Sequence, residues 1–215
     1  MPKKVLNLYA GIGGNRALWK DCHVTAVEYN PEIASVYQDR FKNDTVIITD
    51  AHAFLQENYK DFDFIWSSPP CPTHSNFRQN ISVRYRGSKA MYPDMSLYQE
   101  IIFLKHNCEG QKWCVENVVP YYEPLINANT KLGRHLFWCN FSVLPKAFNL
   151  NVHIRSALIP DLEKLHQVNL KTTKLQNKRQ VLRNCVDSDV GLYIFKSAFK
   201  SEEDHQMELP LFANA

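Results

Sequence analysis

The sequence predicts a doubly wound α/β domain built on a mostly parallel sheet. Three observations carry this. Through the first half, five short β-rich runs alternate with four amphipathic stretches, and strand and helix in alternation need crossover connections, hence parallel strands covered on both faces. A chain of 215 residues, 45% of them hydrophobic, is long enough to bury one sizeable core. No apolar run approaches the roughly 18 residues of a membrane helix, and the start, Met1-Pro2-Lys3-Lys4, leads into a stretch interrupted by Asn7 with no small-residue cleavage site. A soluble protein that is not exported is expected.

The strands are read at 4–9, 24–28, 46–49, 62–67 and 112–116, with helices at 15–20, 31–41, 52–59 and 94–108. In the second helix Ile33, Val36 and Tyr37 share one face, and Pro31 stands where a first-turn proline is tolerated. A further strand is read at 135–141 and a final helix at 187–200, while 142–178 shows no clear period. The domain organisation expected is a cofactor-binding and catalytic core over 1–141, a reduced target-recognition segment over 142–178, a C-terminal helix returning to the core over 179–200, and a tail over 201–215.

Charge names no partner. The 25 Lys and Arg against 22 Asp and Glu leave a net +3, so any polyanion surface has to arise from local clustering. The six cysteines include no Cys-x-x-Cys pair and are too dilute for a disulfide scaffold, so reduced thiols and no structural zinc are expected.

In open α/β sheets ligands sit beyond the carboxyl ends of the strands. After the first strand comes Tyr9-Ala10-Gly11-Ile12-Gly13-Gly14-Asn15, whose glycines let the backbone turn sharply and approach a ligand. Arg16 stands where a dinucleotide fingerprint has its third glycine, which argues against NAD. The second strand ends at Glu28, placed to accept hydrogen bonds from two ribose hydroxyls, and the third at Asp50, placed to receive an adenine amino group. Each acid alone reads more readily as a solvated loop residue. One per successive strand end, they suggest a nucleoside cofactor such as S-adenosylmethionine. The fourth strand runs into Ser67-Ser68-Pro69-Pro70-Cys71-Pro72, where stiff prolines and the strand-end position make Cys71 a candidate nucleophile against the usual reading of a free cysteine as inert and buried. The fifth strand delivers Glu116 to the same edge.

Tyr9-Ala10-Gly11-Ile12-Gly13-Gly14, Pro69-Pro70-Cys71, Glu116-Asn117-Val118 and Arg183-Asn184-Cys185-Val186, in that order, resemble the cytosine-5 DNA methyltransferase family. The resemblance implies a Rossmann-like methyltransferase fold and S-adenosylmethionine as cofactor, held by Tyr9, Ala10, Gly11, Gly13, Gly14, Glu28, Asp50, Pro70 and Asn184. It implies thiolate attack of Cys71 on carbon 6 of cytosine while Glu116 holds a proton on N3, methylation at carbon 5, then loss of the carbon 5 proton with expulsion of the cysteine. That atom is unreachable inside a duplex, so the base is expected to be flipped into the pocket.

The sequence departs from the family pattern in several places. Pro72 stands in place of the usual Gln after the catalytic cysteine, and Thr73-His74 in place of a Gly-Phe type pair. The Arg-x-Arg element that helps to hold the base is represented by Gly133-Arg134-His135, with Arg134 as the candidate and His135 as the alternative one residue on. Arg183 replaces the glycine of the last motif, and the recognition segment is far shorter than usual, as in the compact versions carried by bacterial viruses and mobile elements. A monomer in the cytoplasm of a bacterial or phage-infected cell is expected.

Double-stranded DNA is the expected partner. The loop from Pro72 to Pro93 holds Arg78, Arg84, Arg86 and Lys89 with no acid, and Phe77, Tyr85 and Tyr92 are interleaved. Such side chains suit phosphates and the hole left by a flipped base. From Lys164 to Arg183 there are six basic residues, Lys171 and Lys174 among them, and no acid; a phosphate footprint and one solvated face are both consistent with this. In the tail, Gln206-Met207-Glu208-Leu209-Pro210-Leu211-Phe212 resembles the peptide by which bacterial DNA enzymes attach to the sliding clamp. An RNA cytosine methyltransferase, or an idle DNA-binding protein on the same scaffold, are the competing readings.

Overall fold

The computed structural model describes residues 1–76, 79, 83–87, 89, 91–148, 154 and 156–200. Arg78, Phe77 and the Gln206 to Phe212 peptide lie outside the described residues.

Seven strands form one sheet: β1 (Lys3–Leu8), β2 (Cys22–Val27), β3 (Thr45–Ile47), β4 (Phe64–Ser67), β5 (Lys112–Val118), β6 (Thr130–Leu132) and β7 (His135–Cys139), in the spatial order β3-β2-β1-β4-β5-β7-β6. The pairs β2·β3, β1·β2, β1·β4 and β4·β5 are parallel, whereas β7 runs antiparallel to both β5 and β6. Strand order reverses between β1 and β4, so the crevice above their carboxyl ends is the topological switch point where such sheets bind ligands.

Helices α1 (Pro31–Arg40), α2 (Ala51–Asn58) and α4 (Ser96–Asn107) connect the parallel strands, with a single turn α3 (Arg84–Arg86) in the basic loop. Helix α1 starts where Asn30 accepts hydrogen bonds from the amides of Glu32 and Ile33 and Pro31 takes the first position, and α2 starts where Asp50 accepts from Ala53. One face of the sheet packs Leu6, Leu8, Ile65 and Val115 against Leu55 of α2 and Leu97, Ile101 and Leu104 of α4. The other packs Val5, Phe64, Trp66 and Phe137 against Val190, Ile194 and Phe195 of α7 (Ser188–Ala198). Val5, Leu6 and Leu8 are fully buried, as a strand covered on both faces requires.

Three expectations need correction. Asn15 to Lys20 is a run of turns and not a helix. Its side chains are pulled to separate elements: Asn15 donates to Asn7 of β1, Arg16 pairs with Asp44, and Trp19 donates to the Gly191 carbonyl of α7. Helix α7 therefore covers the sheet face that a crossover helix there would have covered. Residues 179–200 hold two helices, α6 (Lys178–Asn184) and α7, interrupted at Cys185 to Asp187, where Asp187 caps α7. The segment 142–178, read without a clear period, contains α5 (Ile159–Leu165), and its Ala157, Leu162, Leu170 and Leu175 form one apolar cluster with Ile12 and Val36 of the core.

Candidate active site

The glycine turn after β1 is the first component. Tyr9, Gly11 and Gly13 all have positive φ (+52°, +55° and +74°), and a Cβ at Gly13 would collide with the Phe41 and Tyr37 rings, so only glycine fits there. A Cβ at Gly11 would meet nothing within 4 Å, which leaves open space over the turn. Ala10 donates to Val27 of β2 and Gly14 lies against the Val186 backbone. Glu28 gathers this turn: one carboxylate oxygen accepts from the Gly11 amide and the other from the Asn30 amide, both at 2.9 Å. Asp50 is exposed at the end of β3 beyond its capping bond to Ala53. Each carboxylate oxygen has a second lone pair for a ligand hydroxyl or amine.

Beneath this site lies a group that the sequence reading missed. Glu100 of α4 is fully buried and accepts hydrogen bonds from the Tyr9 and Ser67 hydroxyls, while His52 Nδ1 stands 3.6 Å away. The pairing with Glu100 pushes His52 upward, and burial followed by the Glu100 charge pushes the Tyr9 hydroxyl upward. Its signal was available, because Glu100 falls on the same helical face as Leu97, Ile101 and Leu104.

The second component follows β4. Pro69 is buried and its carbonyl accepts from Asn117 Nδ2 at 2.9 Å, Pro70 is exposed, and Cys71 is half-buried. The Cys71 carbonyl accepts the amides of His74 and Ser75, both at 3.1 Å, so the thiol sits on a tight turn. Burial first and the Glu116 charge second push the thiol up to about 11, against a lowering by Arg134. Glu116 of β5 is 6% exposed, and burial pushes its carboxyl up to about 7, opposed by a hydrogen bond from Ser68 and by the Arg134 charge. Both Arg134 and His135 stand near Glu116. Arg134 acts on Cys71 and Glu116 together and is held by the Arg183 and Cys185 carbonyls, at 2.6 and 3.1 Å. His135 is buried with Nε2 3.5 Å from Glu116, and burial pushes it well below the usual histidine range, so the ring is neutral.

A cavity of about 670 Å³ opens here, lined by Cys71, Ser75, Val118, Lys131, Arg134 and Asn184 among others. Asn184 also lines a groove with Asn30 and so stands between the cofactor side and the Cys71 side. Lys131 is a second residue that sequence reasoning missed, since a three-residue strand carries no pattern to place it.

The basic residues divide. Arg86, Lys89, Lys171 and Lys174 are exposed, and Arg84 lies in α3. Within 164–183, Lys178 donates to the Leu170 carbonyl, Arg179 to those of Ser156 and Ala157, and Arg183 to that of Ile154, so these three also bond within the chain. Among the described residues no three His, Cys, Asp or Glu side chains converge as a metal site requires, the cysteines are free thiols, and no helix is long and apolar enough to cross a membrane.

The family model for C-5 cytosine-specific DNA methylase matches residues 3–118, from β1 through the Glu116-Asn117-Val118 motif. The chain belongs to this family. The match takes in the glycine turn, Glu28, Asp50, Cys71 and Glu116. The methyl donor of C-5 methylases is S-adenosylmethionine, and the open turn over Gly11 with the Glu28 and Asp50 carboxylates fits such a nucleoside.

No curated protein matches the chain. Among solved structures, a DNMT2 variant from Spodoptera frugiperda is 25% identical over 54% of this chain and 35% of its own, with a TM-score of 0.40. The methyltransferase EhMeth of Entamoeba histolytica is 11% identical over 93% of this chain and 98% of its own, with a TM-score of 0.51, and shares the fold. A SAM-dependent methyltransferase from Agrobacterium tumefaciens is 15% identical over 57% of this chain and 40% of its own, with a TM-score of 0.38. The chain thus spans about a third of the length of the DNMT2 structure it matches.

Proposed function

We propose that this methylase transfers a methyl group to carbon 5 of a cytosine in DNA, flipped from the duplex and held through a covalent bond to Cys71. One observation carries the reading: the thiol that lines the cavity with Arg134 and a buried carboxyl from the neighbouring strand end lie close enough for the Arg134 charge to lower both. S-adenosylmethionine, when bound, supplies an electrophilic methyl group.

The chain's residues account for the remaining chemistry. Glu116, pushed up to about 7, holds a proton near neutrality and can share it with N3 of the base, which drains electrons from the ring. Cys71 then adds to carbon 6, and the ring electrons displaced to carbon 5 form the new bond to the methyl group. Transfer of the carbon 5 proton to water sends its bonding pair toward carbon 6, the sulfur leaves with the C6–S pair as a thiolate, and aromaticity returns. The thiol of the free protein is protonated at neutral pH, so attack requires its S–H proton to pass to water, with Arg134 as the cation that favours the thiolate left behind. Exposed Lys171 and Lys174 supply phosphate contacts.

Cys71→Ser tests this reading, assayed on duplex DNA and on tRNA with labelled methyl donor. Wild-type turnover on DNA that vanishes in the variant, while donor binding persists, is the expected result. Transfer to tRNA alone moves the substrate to RNA, and near-normal methylation by the variant overturns the covalent mechanism.

A further inference from the structure

His74 stands where the family pattern has an aromatic ring, and it is fully buried. Its backbone amide donates to the Cys71 carbonyl at 3.1 Å and its carbonyl accepts from Tyr121 at 3.2 Å. Its ring Nδ1 lies 2.5 Å from the Tyr122 hydroxyl, which accepts in turn from Tyr98 of α4 at 3.4 Å. On either side of it, Thr73 Oγ1 accepts from the Asp94 amide at 2.9 Å, and Ser75 forms a bridge to Pro120. The two roots of the basic loop, near 73 and 94, are thus tied to each other and to the segment that follows β5.

We propose that His74 is a positioning residue for Cys71, its ring locked by Tyr122 so that the turn carrying the thiol and the roots of the basic loop hold one geometry. The proposal rests on Cys71 being the nucleophile. A plain core filler at this place would be an apolar ring. The imidazole instead buries Nε2, a polar atom that an apolar ring would not carry, while its other nitrogen makes a directional bond to Tyr122. Burial holds the ring below the usual histidine range, so it is neutral at physiological pH and adds no charge beside the thiol. The covalent step needs the sulfur at a fixed distance and angle from carbon 6, and a displacement of about 1 Å costs on the order of a hundredfold in rate.

The experiment measures the rate at which full-length protein is captured by duplex DNA containing 5-fluorocytosine. Alongside it, calorimetry gives S-adenosylmethionine affinity, and mass spectrometry follows alkylation of the Cys71 peptide by iodoacetamide. The variants are His74→Phe, His74→Asn, Tyr122→Phe and the double variant His74→Phe with Tyr122→Phe. His74→Phe and Tyr122→Phe are each expected to slow capture about ten- to a hundredfold and to change Cys71 alkylation, with cofactor affinity within about twofold of wild type. The double variant is expected to be no slower than the slower single one, because both remove the same bond. His74→Asn, which restores a polar atom near Nδ1, is expected to recover part of the rate. Capture at the wild-type rate by folded His74→Phe, or unchanged alkylation, overturns the proposal. So does a parallel fall in capture and cofactor affinity, which marks a general packing role. Wild-type protein that is never captured overturns the assignment of Cys71 itself, whatever the alkylation rates of the variants.

Discussion

The side-chain amide of Asn117 donates to the Pro69 carbonyl at 2.9 Å, which joins the strand end that carries Glu116 to the one that carries Cys71. Both residues are buried, so the carbonyl has no water to fall back on. Asn117→Ala is expected to cost about 1–3 kcal/mol for the carbonyl left unsatisfied. This corresponds to about 2–4 °C in melting temperature for each kcal/mol in a chain of this size. Thermal denaturation measures it, and an unchanged midpoint shows that the two motifs do not depend on this bond.

Burial raises Glu116 from the ordinary 4.5 to about 7, so the folded state binds its proton more tightly than the unfolded chain does. Its contribution to stability is fully present below about 4.5 and is lost as the pH rises through about 7. His166, lowered to about 4 by burial, runs the other way, losing its contribution as the pH falls from 6.5 toward 4. Comparing melting profiles of wild type and Glu116→Gln isolates the carboxyl. Their difference is expected to change between pH 4.5 and 7 in favour of the Gln variant, and parallel profiles exclude the raised carboxyl.

Cys71 of the free protein should alkylate slowly at neutral pH and accelerate until about pH 11. Arg134→Gln removes the nearby cation that lowers both Cys71 and Glu116, so the alkylation midpoint should move still higher. A thiol that reaches its maximal rate below pH 9 contradicts this electrostatic picture.

Lys171, Lys174 and Arg179 are exposed, and Arg179 and Arg183 also hold carbonyls of their own chain. Replacing both lysines with Ala is expected to weaken DNA binding for all sequences alike and to lower the slope of log K against log salt by about 2. Arg179→Ala is expected to cost stability before it alters the slope. An unchanged slope in the lysine variant returns that surface to solvent.

The parallel half of the fold was legible because its strands are separated by helices with their own periodicity and end in residues of recognisable chemistry. Cys71 and Glu116 stand directly after β4 and within the end of β5, and the parallel pairing of those strands brings them to one edge. What could not be read was set by contacts distant in sequence. The turns at Asn15 to Lys20 answer to Asn7, Asp44 and Gly191, and three-residue β6 is defined by its pairing with β7. The basic residues after 164 looked alike in sequence, and only the carbonyls opposite Lys178, Arg179 and Arg183 show which of them also bond within the chain.

Helix α7 touches the glycine-turn segment so closely that any Cβ at Gly191 would strike the Asn15 backbone, and the Trp19 indole closes onto the same residue's carbonyl. On the ribosome, then, the turn near residue 11 leaves the exit tunnel early and waits for residue 191 before it acquires its final support. Until that moment Trp19, Phe64 and Trp66 lack their partners Ile194 and Phe195, and the nascent chain carries an apolar sheet face that a chaperone or another nascent chain can bind. A ribosome stalled before α7 emerges should therefore hold a chain that contains every residue expected to grip the methyl donor and yet cannot grip it.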